Sequence, residues 1–170
     1  GLTTVDEMES ARGIISRAGE LVAQHCDMDA IKSMFKATPL HTGFLDSKPL
    51  RPIHTSVNIG IFHDPTFCFY YPENLAALRE NGAELVLIDS LHDDSLPDLD
   101  GLYIGGGFPE SFFEELSANR KLLLEVKERV RSGIPVYAEC GGLIYLCETA
   151  HFKGKKFKLA GVLPFEIGYQ

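Results

Sequence analysis

The fold is decided by Pro135-Val136-Tyr137-Ala138-Glu139-Cys140-Gly141-Gly142, where an apolar strand runs into Cys140 and a helix starts directly after it. A strand that turns straight into a helix is the repeating unit of α/β folds. In the sharpest form of this turn, the middle residue is a nucleophile on a strained backbone. The residues two before and two after it must be small, because the two backbones pass close together, and Ala138 and Gly142 meet both demands. We therefore predict that Cys140 is a nucleophile.

The turn also predicts how Cys140 would be activated. A helix N-terminus beneath the sulfur favours thiolate over thiol. The backbone N–H of Gly141 is placed to donate to an oxyanion. The alternative is a buried structural cysteine, since free cysteine is often buried. Cys68 and Cys147 lack such a turn, so a structural role is favoured for both, with Cys147 on an apolar helix.

Strands and helices alternate along most of the chain. Short apolar runs predict strands at residues 57–62, 84–88, 101–104 and 134–138. Helical patterns occupy residues 72–81, 109–132 and 141–147, with a break near residues 117–119, and residues 159–169 favour further strand or loop. The alternation predicts an α/β fold with a doubly wound, mostly parallel sheet. Ligands of such sheets lie beyond the carboxyl ends of the strands.

Residues 1–56 follow a different pattern and are predicted to form a helical appendage and a linker. Thr4-Val5-Asp6-Glu7 fits a capping box before a first helix, and Asp27 is placed to cap a second one. Residues 38–56 contain several prolines and a glycine, as linkers do. We therefore predict two parts, the appendage at 1–56 and the α/β domain at 57–170.

A second glycine-rich turn, Gly105-Gly106-Gly107-Phe108-Pro109-Glu110, also follows a strand and opens a helix. It lacks the Lys-Ser/Thr of a P-loop and the spacing of a dinucleotide fingerprint. Three glycines allow the backbone to approach a ligand closely. We predict that Gly106 or Gly107 supplies a second oxyanion donor; a tight turn without a ligand is the alternative.

Aromatic residues are frequent at residues 67–74, where a surface loop would be polar. This segment either packs as core or forms a wall that faces a substrate or another domain. We favour the wall, and within it Tyr71 and Asn74 are the candidates for substrate contact.

A cysteine nucleophile needs a base, usually a histidine. His63 and His92 are the best placed, because each follows a predicted strand. Glu139 is next to the nucleophile, but strand alternation predicts that its side chain points away from the sulfur.

Composition limits the classes of function. The chain has 170 residues, 45% of them apolar, and a formal net charge of −8. An acidic chain without a long basic tract argues against binding nucleic acid. No apolar run approaches the roughly 18 residues of a membrane span, and no secretory signal opens the chain. Four cysteines without a CxxC pair are expected to be free thiols in the cytoplasm, with no metal site.

Three segments taken together resemble one family. They are AECGGLIYL at residues 138–146, GGGFPE at residues 105–110 and FCFYYPENL at residues 67–75. In this order they resemble the C-terminal glutamine amidotransferase domain, of the triad class (class I), of cobyrinic acid a,c-diamide synthases. The resemblance covers residues 57–170 and implies a flavodoxin-like sheet. It also identifies residues 1–56 as the tail of a synthetase domain with its linker.

The resemblance implies a mechanism. Cys140 would attack the side-chain amide of glutamine, N–H groups of Gly106 or Gly107 and of Gly141 would hold the oxyanion, and water would hydrolyse the thioester. Ammonia would pass to a synthetase domain that uses ATP and Mg²⁺ to activate the a and c acetate carboxylates of cobyrinic acid. Hydrogenobyrinic acid and nickel-sirohydrochlorin are alternative tetrapyrroles, and a homodimer is an open alternative to a monomer.

The chain departs from the family at two points. It lacks the P-loop-bearing synthetase domain, and the family's catalytic histidine is expected beyond Gln170, since none of the six histidines here matches it. We therefore expect little or no glutaminase activity from this chain alone. Two alternatives stay open. One is a non-catalytic partner-binding module; the other is a thiol hydrolase or deglycase with His63 or His92 hydrogen-bonded to Cys140.

Overall fold

Residues 11–37 and 56–169 are described by the computed structural model of the chain. The chain divides into two compact units, residues 1–51 and 52–170. The predicted capping box at residues 4–7 and nearly all of the predicted linker at 38–56 lie outside the described residues.

The first unit contains two helices, α1 (Ala11–His25) and α2 (Met28–Ala37). Asp27 caps α2 as predicted, because its Oδ1 accepts hydrogen bonds from the N–H groups of Asp29 at 3.1 Å and Ala30 at 2.9 Å. The large apolar side chains of α1 are about half exposed, namely Ile14, Ile15, Leu21 and Val22. Among the helices of the described residues, none has the length and apolar character needed to cross a bilayer.

The second unit is built on four parallel strands in the order β2-β1-β3-β4. Its elements are, in chain order, β1 (Val57–Phe62), α3 (Pro72–Glu80), β2 (Ala83–Ile88), β3 (Gly101–Ile104), a 3₁₀ turn (Pro109–Ser111), α4 (Phe113–Ala118), α5 (Arg120–Arg131), β4 (Val136–Ala138), α6 (Gly141–Leu146), β5 (Cys147–Phe152), β6 (Lys155–Lys158) and β7 (Leu163–Gly168). Parallel strands separated by helices confirm the predicted α/β class.

The two faces of the parallel sheet differ in how they are covered. On one face Phe62 and Ile104 are fully buried in a core that also contains Tyr145 of α6. On the opposite face Tyr103 and Tyr137 lie side by side in register. Tyr137 is 59% exposed there, so the second face is open at its edge. Strand alternation places every second residue of β4 on this open face.

The chain after α6 differs from the prediction. Helix α6 ends at Leu146, and Cys147 begins strand β5, so the expectation that Cys147 lies on a helix is wrong. Strand β5 pairs antiparallel with β6 and parallel with β7, which makes a second, three-stranded sheet. Lys153 and Gly154 join β5 to β6 with φ of 49° and 75°. Two positive φ angles in a two-residue loop are typical of a tight hairpin, which stabilises β5 as a strand.

Candidate active site

Cys140 has the strained backbone that the sequence predicts for the turn. Its φ is 48° and its ψ is −111°, and helix α6 begins at the next residue. A non-glycine residue in such a region costs about 1–3 kcal/mol, and such residues are common at active sites. The side chain is exposed rather than buried. The alternative of a buried structural cysteine is therefore wrong.

Gly142 fixes the turn by packing against the strand next to it. Its N–H lies 3.0 Å from the carbonyl oxygen of Gly105 and 2.8 Å from that of Glu139. A Cβ at this position would lie 2.2 Å from the carbonyl oxygen of Ile104. Only glycine fits such a contact with backbone, so the predicted need for a small residue two after Cys140 is confirmed.

The second glycine-rich turn lies against the first. A Cβ on Gly106 would lie 3.5 Å from the Cβ of Cys140, and one on Gly141 would lie 3.2 Å from the backbone nitrogen of Gly107. Gly107 and Gly141 are buried, and the N–H of neither donates a hydrogen bond to a described residue. Buried N–H groups without a protein partner are suited to hold an anion. The pair fits the predicted oxyanion donors.

The same turn does not fit a nucleotide phosphate. A Cβ on Gly107 would lie 1.9 Å from the carbonyl oxygen of Thr66, and the N–H of Phe108 donates to that oxygen at 3.0 Å. The N–H of Phe108 is therefore occupied by the protein itself, and the turn lacks the Lys-Ser/Thr with which a P-loop binds a nucleotide and its Mg²⁺.

A cavity of about 430 Å³ opens beside the nucleophile. It is lined by Cys68, Phe69, Tyr70, Tyr71, Gly106, Glu139 and Cys140. A volume of this size is sufficient for a small amino acid. Tyr71 is where the sequence predicts it. Asn74 lines a separate groove on the open sheet face, and its side chain hydrogen-bonds Tyr103 there.

The aromatic segment divides between core and cavity. Phe67 is fully buried, whereas Phe69 and Tyr71 are 50% and 67% exposed. The segment is attached to the glycine turn by an antiparallel bridge, in which the N–H of Phe69 donates to Gly106 at 3.0 Å. The segment therefore contributes a wall to the cavity, and only its first residue packs as core.

Tyr70 joins the first strand to the glycine turn. Its hydroxyl donates to the carbonyl oxygen of Phe62 and accepts from the N–H of Gly105 at 2.9 Å. Burial raises the pKa of this hydroxyl well above its ordinary value, so the group stays a donor at neutral pH. The ring of His63 stacks on Tyr70 with the centroids 6.1 Å apart.

Glu139 lines the cavity together with Cys140, and its carboxylate is hydrogen-bonded to two tyrosines of the open sheet face. One oxygen accepts from the hydroxyl of Tyr103 at 3.1 Å and the other from that of Tyr137 at 3.4 Å. Burial and the hydrogen bond to Glu139 raise the pKa of Tyr103. No hydrogen bond of the described residues joins Glu139 to Cys140. Glu139 is not among the site residues predicted from the sequence, although its position next to Cys140 points to a place in the site.

The predicted bases are not in contact with the nucleophile. Neither His63 nor His92 is hydrogen-bonded to Cys140. His92 instead pairs with Asp89, with Nδ1 2.9 Å from Oδ2, and this hydrogen bond raises the pKa of His92. The contact required for a self-sufficient thiol hydrolase is therefore not made by the described histidines.

The described ranges 11–37 and 56–169 contain no group of three His, Cys, Asp or Glu side chains that could hold a metal ion. Cys26, Cys140 and Cys147 are free thiols, as predicted. The arrangement that remains is a strained, exposed thiol, two buried N–H donors and a small cavity with one carboxylate. These are the parts needed for acyl transfer through a covalent thioester.

Comparison with known proteins agrees with this chemistry. Residues 58–170 match the family model described as CobB/CobQ-like glutamine amidotransferase domain. A protein named "Cobyrinate a,c-diamide synthase" from Magnetococcus marinus is 42% identical over 172 residues, covering 98% of this chain and 37% of that protein. Its namesake from Archaeoglobus fulgidus is 44% identical over 167 residues, covering 98% of this chain and 36% of that protein. The namesake from Listeria innocua is 34% identical over 163 residues, covering 95% and 36%. The chain thus spans little more than a third of the length of these relatives.

Proposed function

Since the chain belongs to the family of CobB/CobQ-like glutamine amidotransferase domains, we propose that within the whole protein it attacks the side-chain amide of glutamine through Cys140 and releases ammonia. The observation that carries the proposal is the backbone of Cys140, whose φ of 48° presents an exposed thiol at the mouth of the cavity. A strained nucleophile at a strand–helix turn is used for acyl transfer in unrelated enzymes as well.

The chemistry proceeds in two steps. Sulfur attacks the amide carbon, and the negative oxygen that forms is held by the N–H groups of Gly141 and Gly107. Collapse of this intermediate breaks the C–N bond, and the proton of the thiol leaves with the amine as ammonia. Water then attacks the glutamyl thioester, which gives glutamate and restores the thiol of Cys140. The sum of the steps is glutamine plus water to glutamate plus ammonia.

The reaction that uses the released ammonia is an activity of the whole protein. We infer that it amidates the a and c acetate carboxylates of cobyrinic acid, because relatives along nearly all of this chain are named Cobyrinate a,c-diamide synthase. That reaction requires ATP and Mg²⁺ to activate a carboxylate. The glycine turn described above lacks the Lys-Ser/Thr of a P-loop, and we propose that both bind in a separate synthetase domain. Hydrogenobyrinic acid and nickel-sirohydrochlorin are the alternative acceptors.

Labelling with diazo-oxo-norleucine, a glutamine analogue that alkylates thiols with loss of N₂, tests the proposal. Mass spectrometry of the digested chain should show the adduct on Cys140, and excess glutamine should prevent it. The variant Cys140→Ser should lose the adduct and still unfold at the same denaturant concentration. Equal labelling of all exposed cysteines, without protection by glutamine, would show that the turn is only a scaffold.

A further inference from the structure

The cavity beside Cys140 has a charge pattern that the proposed reaction does not use. Among the described residues that line it, Glu139 is the only one of the Asp, Glu, Lys and Arg types. The other lining side chains are aromatic or thiol groups, together with a glycine. A carboxylate in a largely apolar cavity attracts a cation more strongly than one in open solvent, because the local dielectric constant is lower.

The carboxylate of Glu139 is oriented but not neutralised. The hydroxyls of Tyr103 and Tyr137 each donate to a different oxygen, at 3.1 and 3.4 Å. Each oxygen of a carboxylate can accept two hydrogen bonds, so each keeps capacity for a further donor. No ion pair of the described residues involves Glu139. Burial and the bond to Glu139 raise the pKa of Tyr103, which keeps this hydroxyl protonated as a donor.

We propose that Glu139, oriented by Tyr103 and Tyr137, binds the α-ammonium group of the glutamine substrate. The proposal rests on the proposed function, and it makes Glu139 the residue that selects an α-amino acid over other primary amides. The described part of the lining contains no Lys or Arg for the α-carboxylate, so the ammonium is the charged group that these residues can recognise.

The assignment requires one glutamine molecule to span from the thiol of Cys140 to the carboxylate of Glu139. Both residues line the same cavity, although strand alternation directs their side chains differently. In extended glutamine the α-nitrogen lies about 5 Å from the side-chain amide carbon, by standard bond lengths, so the ammonium is carried well away from the atom that the sulfur attacks.

The contact between Glu139 and the ammonium group is tested by comparing two ligands, each with the unaltered chain and with the Glu139→Gln variant. Iodoacetamide alkylates Cys140 without needing an ammonium group, so protection of Cys140 reports ligand binding. L-glutamine is compared with glutaramate, which is glutamine without its α-amino group. In the Glu139→Gln variant, the glutamine concentration for half-protection should rise by roughly tenfold to a hundredfold, the range for a hydrogen bond to a charged group. The value for glutaramate should stay the same or fall.

Glutamine has nearly the size of glutamate and keeps one acceptor oxygen, while its NH₂ group can donate to the second tyrosine hydroxyl, so Glu139→Gln is expected to fold. The matched control is Glu84→Gln, which removes a carboxylate from an exposed position on β2 and should leave both protection curves unchanged. An unchanged curve for glutamine in Glu139→Gln would overturn the assignment, and so would an equal loss for both ligands, which indicates a change in cavity shape. If diazo-oxo-norleucine fails to label Cys140 of the unaltered chain, the proposed function itself is refuted. If it labels Cys140, but Glu139→Gln affects protection by glutamine and by glutaramate equally, only the role of Glu139 is refuted.

Discussion

Replacing Gly142 by alanine should destabilise the second unit, although alanine is the better helix former. Alanine gains about 1 kcal/mol over glycine in a helix interior. The new Cβ, however, would lie 2.2 Å from the carbonyl oxygen and 2.8 Å from the carbonyl carbon of Ile104. Both atoms are backbone, so no rotamer change relieves the overlap, and overpacking of this kind costs about 1–3 kcal/mol.

The shift would also loosen the two hydrogen bonds from the N–H of Gly142, to Gly105 at 3.0 Å and to Glu139 at 2.8 Å. Each is worth about 0.5–1.5 kcal/mol. The opposing contributions leave a net loss of about 1–5 kcal/mol in the free energy of unfolding, with a middle value of about 3 kcal/mol, from the ranges just given. The turn that holds Cys140 should open at the same time, and its labelling by a glutamine analogue should slow.

Urea unfolding measures the first effect. All six tyrosines lie in the second unit, so tyrosine fluorescence reports on it alone. With a typical dependence of 1–3 kcal/mol per molar urea, the midpoint should fall by about 1 M or more. Gly168→Ala is the control, because a Cβ there meets nothing within 4 Å and should leave the midpoint unchanged. A Gly142→Ala midpoint equal to that of the unaltered chain would refute the packing described for the turn.

Two further predictions concern buried groups. Tyr70→Phe should lower the free energy of unfolding by about 1–3 kcal/mol, because the N–H of Gly105 loses its partner. The pKa of Tyr70 is raised in the folded chain. Its contribution to the free energy of unfolding is therefore complete below a pH of about 10 and is lost as the pH rises further. Urea unfolding at pH 8 to 11 that showed no difference between Tyr70→Phe and the unaltered chain would contradict this. Burial likewise raises the pKa of Cys147, whose Sγ donates to the carbonyl oxygen of Leu143 at 3.3 Å, so iodoacetamide should modify Cys140 first. Modification of Cys147 at the same rate as Cys140, measured by mass spectrometry, would show that the sheet around β5 opens readily.

Strong local signals allowed most of the parallel sheet to be predicted. The ranges of β1 and β3 agree with the predicted strands, because short apolar runs bounded by turn residues leave little choice. The predicted break in the long helix occurs at Asn119, where the side chain accepts a hydrogen bond from the N–H of Leu122 and starts α5. Helix α3 ends one residue before the predicted limit of 81, and Gly82 follows its C-cap with a φ of 90°.

The segment after α6 could not be predicted from periodicity. Leu143 to Leu146 are apolar on every side, so the pattern does not show where the helix stops. Strand β5 is stabilised by pairing on both of its edges, with β6 and with β7, and such contacts lie far from its own residues in sequence. The Lys153-Gly154 pair between Phe152 and Lys155 was the available signal for a hairpin.

The site also has one part that local sequence predicts and another part that it does not. Cys140, Gly142 and the glycine turn were predicted, because their roles depend on one strand–helix unit each. The wall formed by Cys68, Phe69 and Tyr70 depends on the bridge between Phe69 and Gly106, which are 37 positions apart in the sequence (106 minus 69). Pairings of this kind are set by the tertiary fold and leave no local pattern to find.

The alternation of strand β4 explains how one short strand serves both the nucleophile and the carboxylate. Tyr137 and Glu139 are two residues apart, so both face the open side of the sheet, where their side chains meet. Ala138 is on the core face, in register with Ile104, and leads to the turn at Cys140. A slip of one residue would bury Tyr137 and Glu139 in the core, so the fully buried face specifies the register. The packing that strains Cys140 therefore also fixes the position of Glu139, and any variant that shifts β4 should weaken thiol reactivity and ammonium recognition together.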